Sequence, residues 1–120
     1  MTKVSLVNTS DRTEGTRLAI DLLGTDCVQG KAVVLKPNFN SANPFPASTH
    51  DDTISGTVAA LKTAGCNAIT LAESSGPGGT ASVIADKGTL DLCDQLSIDF
   101  LDFDTMPESE WETFSFNGIQ

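Results

Sequence analysis

Residues 32–38 read Ala-Val-Val-Leu-Lys-Pro-Asn, and this short run decides how the rest of the chain is interpreted. Its four apolar residues do not alternate with polar ones, which is typical of a strand covered on both faces and therefore of a parallel sheet. Proline and asparagine favour a turn directly after such a strand. We therefore expect a central strand that is followed by a functional loop over residues 36–52.

The composition excludes several classes of function. The chain has 120 residues, enough for one core, and a net charge of −9 from 16 acidic and 7 basic side chains. This acidic balance disfavours contact with nucleic acid or with an anionic membrane surface. No apolar run reaches the roughly 18 residues of a membrane span, and the N-terminus lacks a signal-peptide pattern. We expect a soluble, cytoplasmic protein with no nucleic-acid or membrane partner.

The three cysteines, Cys27, Cys66 and Cys93, lie far apart in the sequence. Their spacing matches neither a disulfide framework nor the Cys-x-x-Cys pairs of metal and cluster sites. We expect buried, reduced thiols, because free cysteine is among the most often buried residue types. The residues predict no metal site and identify no cofactor.

Apolar runs and helical periodicity follow each other in the order strand, helix, strand, helix, strand, helix, strand. Strands are predicted over residues 3–7, 31–35, 67–72 and 98–103, the last of them as an edge strand. Helices are predicted from Ser10 or Asp11 to Gly24, from Thr49 or Asp51 to Gly65, and over residues 81–87 and 90–96 with a break at Gly88. This order predicts an α/β fold, a three-layer, mostly parallel, Rossmann-like sheet with helices on both faces.

The C-terminal segment carries an unfinished pattern. We predict an α/β domain over residues 1–104, whereas residues 105–120 end on the hairpin dipeptide Asn117-Gly118 and only two further residues. We therefore expect residues 105–120 to begin a hairpin or further C-terminal sequence, so that the fold is incomplete there. The alternative is a tail that frays or pairs with another chain, which would make a homo-oligomer.

Three polar loops follow predicted strands, over residues 8–11, 36–52 and 73–80, whereas the returns at the other end of the sheet are short. In a parallel α/β sheet, ligands bind beyond the carboxyl ends of the strands. The two longer loops lead into helices, whose first N–H groups and dipoles favour anions. We predict that a small phosphate- or carboxylate-bearing ligand binds at this carboxyl edge.

Charged and polar residues at the strand ends are the candidate site residues. Lys36 supplies a positive charge, and Glu73 is a candidate acid, base or ligand, so both are assigned catalytic roles. Asn38 and Asn40 are candidate hydrogen-bond donors, although asparagine also suits turns. The remaining candidates for ligand binding are Ser74, Ser75, Gly76, Gly78, Gly79 and Thr80. Their glycines would equally form a plain turn, since neither Gly-x-x-x-x-Gly-Lys-Ser/Thr nor Gly-x-Gly-x-x-Gly is present.

The run His50-Asp51-Asp52 combines residue types that bind divalent metals or transfer protons. Adjacent residues seldom point at one centre, and helix capping by Asp51, or by Thr49 with Asp52, explains the aspartates. His50 stays a third catalytic candidate. Phe45, between two prolines, is either packed under its own loop, which we expect, or presented to a partner.

Three segments carry a resemblance to a known family. They are Lys-Pro-Asn at 36–38 with Asn40, Ser41 and Pro44, Leu-Lys-Thr-Ala-Gly at 61–65, and Ile-Thr-Leu-Ala-Glu-Ser-Ser-Gly at 69–76. In their order and spacing the chain resembles, over residues 3–105, the family catalogued as domain of unknown function 362. The resemblance implies that the Lys36 and Glu73 loops are important and that members are longer. Some members carry a ferredoxin-like 4Fe-4S segment, from which this chain departs because it has no Cys-x-x-Cys-x-x-Cys.

Three hypotheses for the function stay open. The first is an enzyme, or the N-terminal part of one, that acts on a small anion at the carboxyl edge. The second is a redox-associated module of an iron–sulfur protein whose cluster segment lies outside this sequence. The third is a non-catalytic scaffold whose loops bind a partner.

Overall fold

The computed structural model describes residues 2–113. It contains α1 (Arg12–Leu23), β1 (Ala32–Leu35), α2 (Asp51–Thr63), β2 (Ala68–Glu73), α3 (Thr80–Lys87), α4 (Thr89–Leu96) and β3 (Asp99–Asp102), with 3-10 turns at Asp26–Val28, Phe103–Thr105 and Glu108–Glu110. The described residues thus form an α/β fold with four helices and a three-stranded, all-parallel sheet, which confirms the predicted class. None of these helices is both long and apolar enough to cross a membrane.

The sheet has the strand order β1-β2-β3, so β2 is its central strand. Leu35 pairs with Leu71 where β1 meets β2, and Glu73 pairs with Asp102 where β2 meets β3. The prediction that β3 lies at an edge is confirmed. The prediction that the strand before Lys36 is central is wrong, because β1 is the other edge strand.

Within residues 2–113, only one face of β1 is covered. The connection from β1 to β2 and the connection from β2 to β3 both move across the sheet in the same direction. Because such crossovers are right-handed, α2 and the α3–α4 pair lie on the same face of the sheet. Leu35 and Leu71 pack against the core on that face, whereas Val34 on the opposite face is 60% exposed. Helix α1 packs on α2 instead of covering Val34. Over the described residues, the expected cover on both faces of β1 is therefore not observed.

The strand predicted over residues 3–7 is not formed. Residues 2–9 pair with no strand, and Val4 and Leu6 are almost fully exposed. An alternating apolar pattern does not make a strand without a neighbouring strand that supplies hydrogen bonds. The hairpin dipeptide Asn117-Gly118 lies outside the described residues.

Both ends of α1 and the break between α3 and α4 agree with the capping signals in the sequence. The side chain of Asp11 accepts a 2.9 Å hydrogen bond from the Glu14 N–H at the start of α1, and Gly24 follows its last residue with φ of 88°. Gly88 separates α3 from α4 in the left-handed region, at φ of 65°. These features confirm the predicted ends of α1 and the predicted break at Gly88.

The core lies between the covered face of the sheet and the helices. Its buried members are Phe39, Ile54, Val58, Leu61, Ile69, Leu71, Val83, Ile84 and Cys93. Burial, with the charge of Asp94 as a second cause, raises the pKa of the Cys93 thiol. Cys66 is half-buried, but Cys27 is exposed, so the prediction of burial is wrong for that thiol. All three are free thiols.

Candidate functional site

Lys36 and Glu73 meet at the carboxyl edge of the sheet. Lys36 directly follows β1 and Glu73 is the last residue of β2, so the parallel pairing of the two strands brings their ends together. The Lys36 ammonium forms an ion pair with Glu73 Oε1. The Glu73 side chain is only 1% exposed, whereas that of Lys36 is 52% exposed. The structure therefore places the two main sequence candidates in direct contact.

Both oxygens of the Glu73 carboxylate are used inside the protein. Oε1 also accepts a 2.8 Å hydrogen bond from the Ser74 N–H, and Oε2 accepts one of 3.1 Å from the Phe39 N–H. A buried carboxylate with these donors holds the loop after β1 against the loop after β2. The geometry favours an anchoring role for Glu73 over a role as acid, base or ligand.

Asn38 closes the loop on itself. Its N–H donates to Thr49 Oγ1 at 2.8 Å, its carbonyl accepts from the Thr49 N–H at 3.0 Å, and its side-chain amide donates to the Ala47 carbonyl at 3.3 Å. These contacts bring the two ends of the loop together. The local role of asparagine in turns therefore accounts for Asn38.

Asn40 and Gly76 join the two loops. The Gly76 N–H donates to the Asn40 carbonyl at 3.2 Å, and a Cβ placed on Gly76 would lie 2.4 Å from Asn40 Oδ1. Gly76 thus allows the close approach of the neighbouring loop. Gly78 and Gly79 adopt φ of 120° and 79° in open space, which explains glycine at both positions by conformation.

The carboxylate of Asp104 lies against the glycine-rich loop. It comes from the 3-10 turn after β3, and it accepts hydrogen bonds from Ser74 Oγ at 2.8 Å and from Thr80 Oγ1 at 2.6 Å. Thr80 Oγ1 in turn accepts from the Ser75 N–H at 2.7 Å. Hydrogen bonds from Thr80 and then Ser74 hold the pKa of Asp104 below its ordinary value. The loop predicted to bind an anion therefore contacts a carboxylate of the chain itself.

Sequence reasoning did not identify Asp104 as a site residue. The signal that would have found it is its place just after the third parallel strand, because that strand also ends at the carboxyl edge. Ser75, a predicted ligand contact, keeps its side-chain oxygen buried with no hydrogen-bond partner among residues 2–113.

His50 is the N-cap of α2. Its Nδ1 accepts a 3.1 Å hydrogen bond from the Asp52 N–H, while Asp51 and Asp52 lie in the first turn. The prediction that Thr49 or an aspartate caps this helix is therefore wrong, because the Thr49 hydroxyl accepts from Asn38 instead. Across residues 2–113, no three His, Cys, Asp or Glu side chains are grouped so as to hold a metal ion.

A comparison with known families extends this description. Residues 33–118 match the family described as Domain of unknown function (DUF362). The chain belongs to the DUF362 family. The match begins within β1 and includes the loops after β1, β2 and β3, which confirms the resemblance seen in the sequence. No curated protein and no solved structure matches the chain.

Three basic side chains of this DUF362 chain lie beside the loop after β1. The Arg12 guanidinium lies 4.6 Å from the centre of the Phe45 ring, and Lys87 Nζ lies 4.5 Å from that of Phe39. With Lys36, three of the 7 basic side chains border this loop in a chain whose net charge is −9. Phe45 is exposed under Arg12, so the expectation that it packs under its loop is wrong.

Proposed function

We propose that this DUF362 chain binds a small phosphate- or carboxylate-bearing anion at the carboxyl edge of its sheet. Lys36 is the main cationic contact. One observation carries the proposal: the Lys36 side chain is half exposed, although its partner Glu73 is almost fully buried. The Lys36 side chain is thereby tied to a buried carboxylate while half of its surface stays open to solvent.

The hydrogen-bonding capacity of Lys36 supports this role. An ammonium group has three N–H donors. One donates to Glu73 Oε1, and a contact of 3.5 Å to the Pro37 carbonyl is at the limit of a hydrogen bond. At least one donor therefore remains for an incoming anion. Because two backbone N–H groups also stabilise the Glu73 carboxylate, Lys36 does not have to neutralise it alone.

The chemistry of the glycine-rich loop also supports the proposal. The hydroxyl groups of Ser74 and Thr80 stabilise the ionised form of Asp104, as the lowered pKa of that carboxyl group indicates. The loop thus accommodates a carboxylate, that of Asp104 itself, and these two hydroxyl donors are engaged there. Arg12 and Lys87 contact aromatic rings of the neighbouring loop and bring two further cationic side chains close to it.

The proposal is tested by titrating the ¹⁵N-labelled protein with sodium phosphate and with sodium acetate at low ionic strength. We expect saturable shifts of the amide signals of Lys36 and of residues 74–80. Lys36→Gln should weaken binding at least tenfold. Lys31→Gln is the matched control, since it removes the same charge just before β1, at the opposite end of that strand. Equal weakening in both variants, or the absence of a saturable shift, contradicts the proposal.

A further inference from the structure

A cavity of about 350 Å³ opens beside Lys36, between the end of β1 and the first turns of α2. Carbon atoms of Leu35, Pro37 and Ile54 form part of its lining, and Thr53 and Thr57 line it from α2. Its volume is within the range of small-molecule sites. The cavity therefore has room for more than the anionic group that Lys36 would hold.

Several polar groups of the lining are already engaged. The Thr57 hydroxyl donates to the Thr53 carbonyl at 2.8 Å, and the Thr49 hydroxyl accepts from the Asn38 N–H at 2.8 Å. These groups make their hydrogen bonds within the protein, so they have less capacity for a ligand. What the cavity offers a ligand is mainly hydrocarbon surface.

The cavity is also distinguished by its charge. Of the described residues that line it, Lys36 alone is charged. The pocket beside His50, by contrast, is lined by both Lys87 and Asp51, and an acidic side chain opposes an anionic ligand there. Among these two pockets, only the one beside Lys36 combines a lysine with a lining that contains no acidic side chain, since the Lys36 partner Glu73 lies outside that lining.

We propose that the ligand at Lys36 is an amphipathic anion, a small carboxylate or phosphate ester whose apolar body fills this cavity. The inference rests on the proposed function and narrows its ligand class. Lys36 binds the anionic group, and Leu35 and Ile54 contact the apolar body. A bare inorganic anion would leave the apolar lining of the cavity in contact with water. Each methylene group of a ligand that is buried against this lining should tighten binding about fourfold.

Three probes separate the contributions of charge and apolar body: acetate, hexanoate and 1-hexanol, each titrated into the ¹⁵N-labelled protein. We expect hexanoate to bind at least tenfold more tightly than acetate and at least tenfold more tightly than hexanol. Lys36→Gln should weaken the binding of both acetate and hexanoate at least tenfold. Thr53→Leu should narrow the cavity and so reduce the preference for hexanoate over acetate, with the affinity for acetate unaffected.

Ser55→Leu is the matched control, because Ser55 lies on the same helix at intermediate exposure and does not line the cavity. It should leave the preference for hexanoate unchanged, and circular dichroism checks that both leucine variants fold. Equal affinities for acetate and hexanoate, both dependent on Lys36, overturn the inference and leave the proposed anion site standing. A hexanoate preference that Thr53→Leu leaves unchanged also overturns it. If no anion binds the wild type, the proposed function fails and the inference fails with it.

Discussion

The hydroxyl group of Thr80 donates a 2.6 Å hydrogen bond to the carboxylate of Asp104, and so joins the start of α3 to the turn after β3. The same carboxylate accepts from Ser74 Oγ, directly after β2. The ends of β2 and β3 are thus held together by side chains as well as by the sheet. This connection fixes the shape of the loop that follows β2.

Asp104→Asn should destabilise the protein near neutral pH and much less in acid. The pKa of Asp104 is lowered in the folded state, so its stabilising effect is fully present above its unfolded pKa of about 3.9. The effect is lost as the pH falls through the lower folded pKa, because both states are then protonated. Urea unfolding at pH 7, 5, 4 and 3 measures it as the difference in midpoint between wild type and variant.

Asp86→Asn is the control for this pH series. Asp86 is exposed on α3, and its substitution removes the same charge as Asp104→Asn does. The urea midpoint of Asp86→Asn should stay close to that of the wild type at every pH. A difference for Asp104→Asn that is constant from pH 7 to pH 3 would show that the carboxylate does not stabilise the loop by its charge.

Glu73→Gln should lower the free energy of unfolding by about 2 kcal/mol. The side-chain NH₂ group of glutamine would replace one carboxylate oxygen, so one of the buried donors that now contact the carboxylate would lose its acceptor. Those donors are the Phe39 and Ser74 N–H groups and the Lys36 ammonium. Lys36→Gln should cost about 1 kcal/mol or less, since half of that side chain is in water. Urea unfolding at pH 7 gives both values. The opposite order would mean that the ion pair, and not the backbone contacts, dominates.

Gly76→Ala should destabilise the protein by about 1–3 kcal/mol, because its Cβ would lie 2.4 Å from Asn40 Oδ1. Asn40→Ala removes that oxygen, so the double variant should be more stable than the sum of the two single effects predicts. Urea unfolding of the four proteins gives this coupling as a double-mutant cycle. Additive effects would show that the two loops do not constrain each other at this contact.

The sequence predicted those parts of the fold that depend on local signals. Gly24 and Gly88 were found because residues in the left-handed region favour glycine, and β2 and β3 because their apolar runs are bounded by turn residues. The position of β1 was missed because an unalternating run of four residues does not distinguish a central strand from an edge strand. The strand at residues 3–7 was overpredicted because pairing depends on a distant neighbour.

The candidate site likewise contains residues that the sequence predicted and residues that it did not. Lys36 and Glu73 were found because the ends of parallel strands meet at one edge, whatever the order of the strands. Asp104 was missed because its role depends on the three-dimensional path of the chain after β3. Asn38 and Gly76 fit a ligand loop by composition, but their contacts show that they shape the loop itself.

His50→Ala should destabilise the protein by about 1 kcal/mol, whereas His50→Asn should leave the stability within about 0.5 kcal/mol of the wild type. The reason is that His50 Nδ1 accepts the Asp52 N–H at the start of α2, and the side-chain oxygen of asparagine can accept the same hydrogen bond. Urea unfolding at pH 8 compares the three proteins. Equal losses in both variants would contradict the capping role and would leave the contact with the Phe45 ring as the stabilising interaction. If capping is its whole role, His50→Asn should also bind anions at Lys36 as tightly as the wild type.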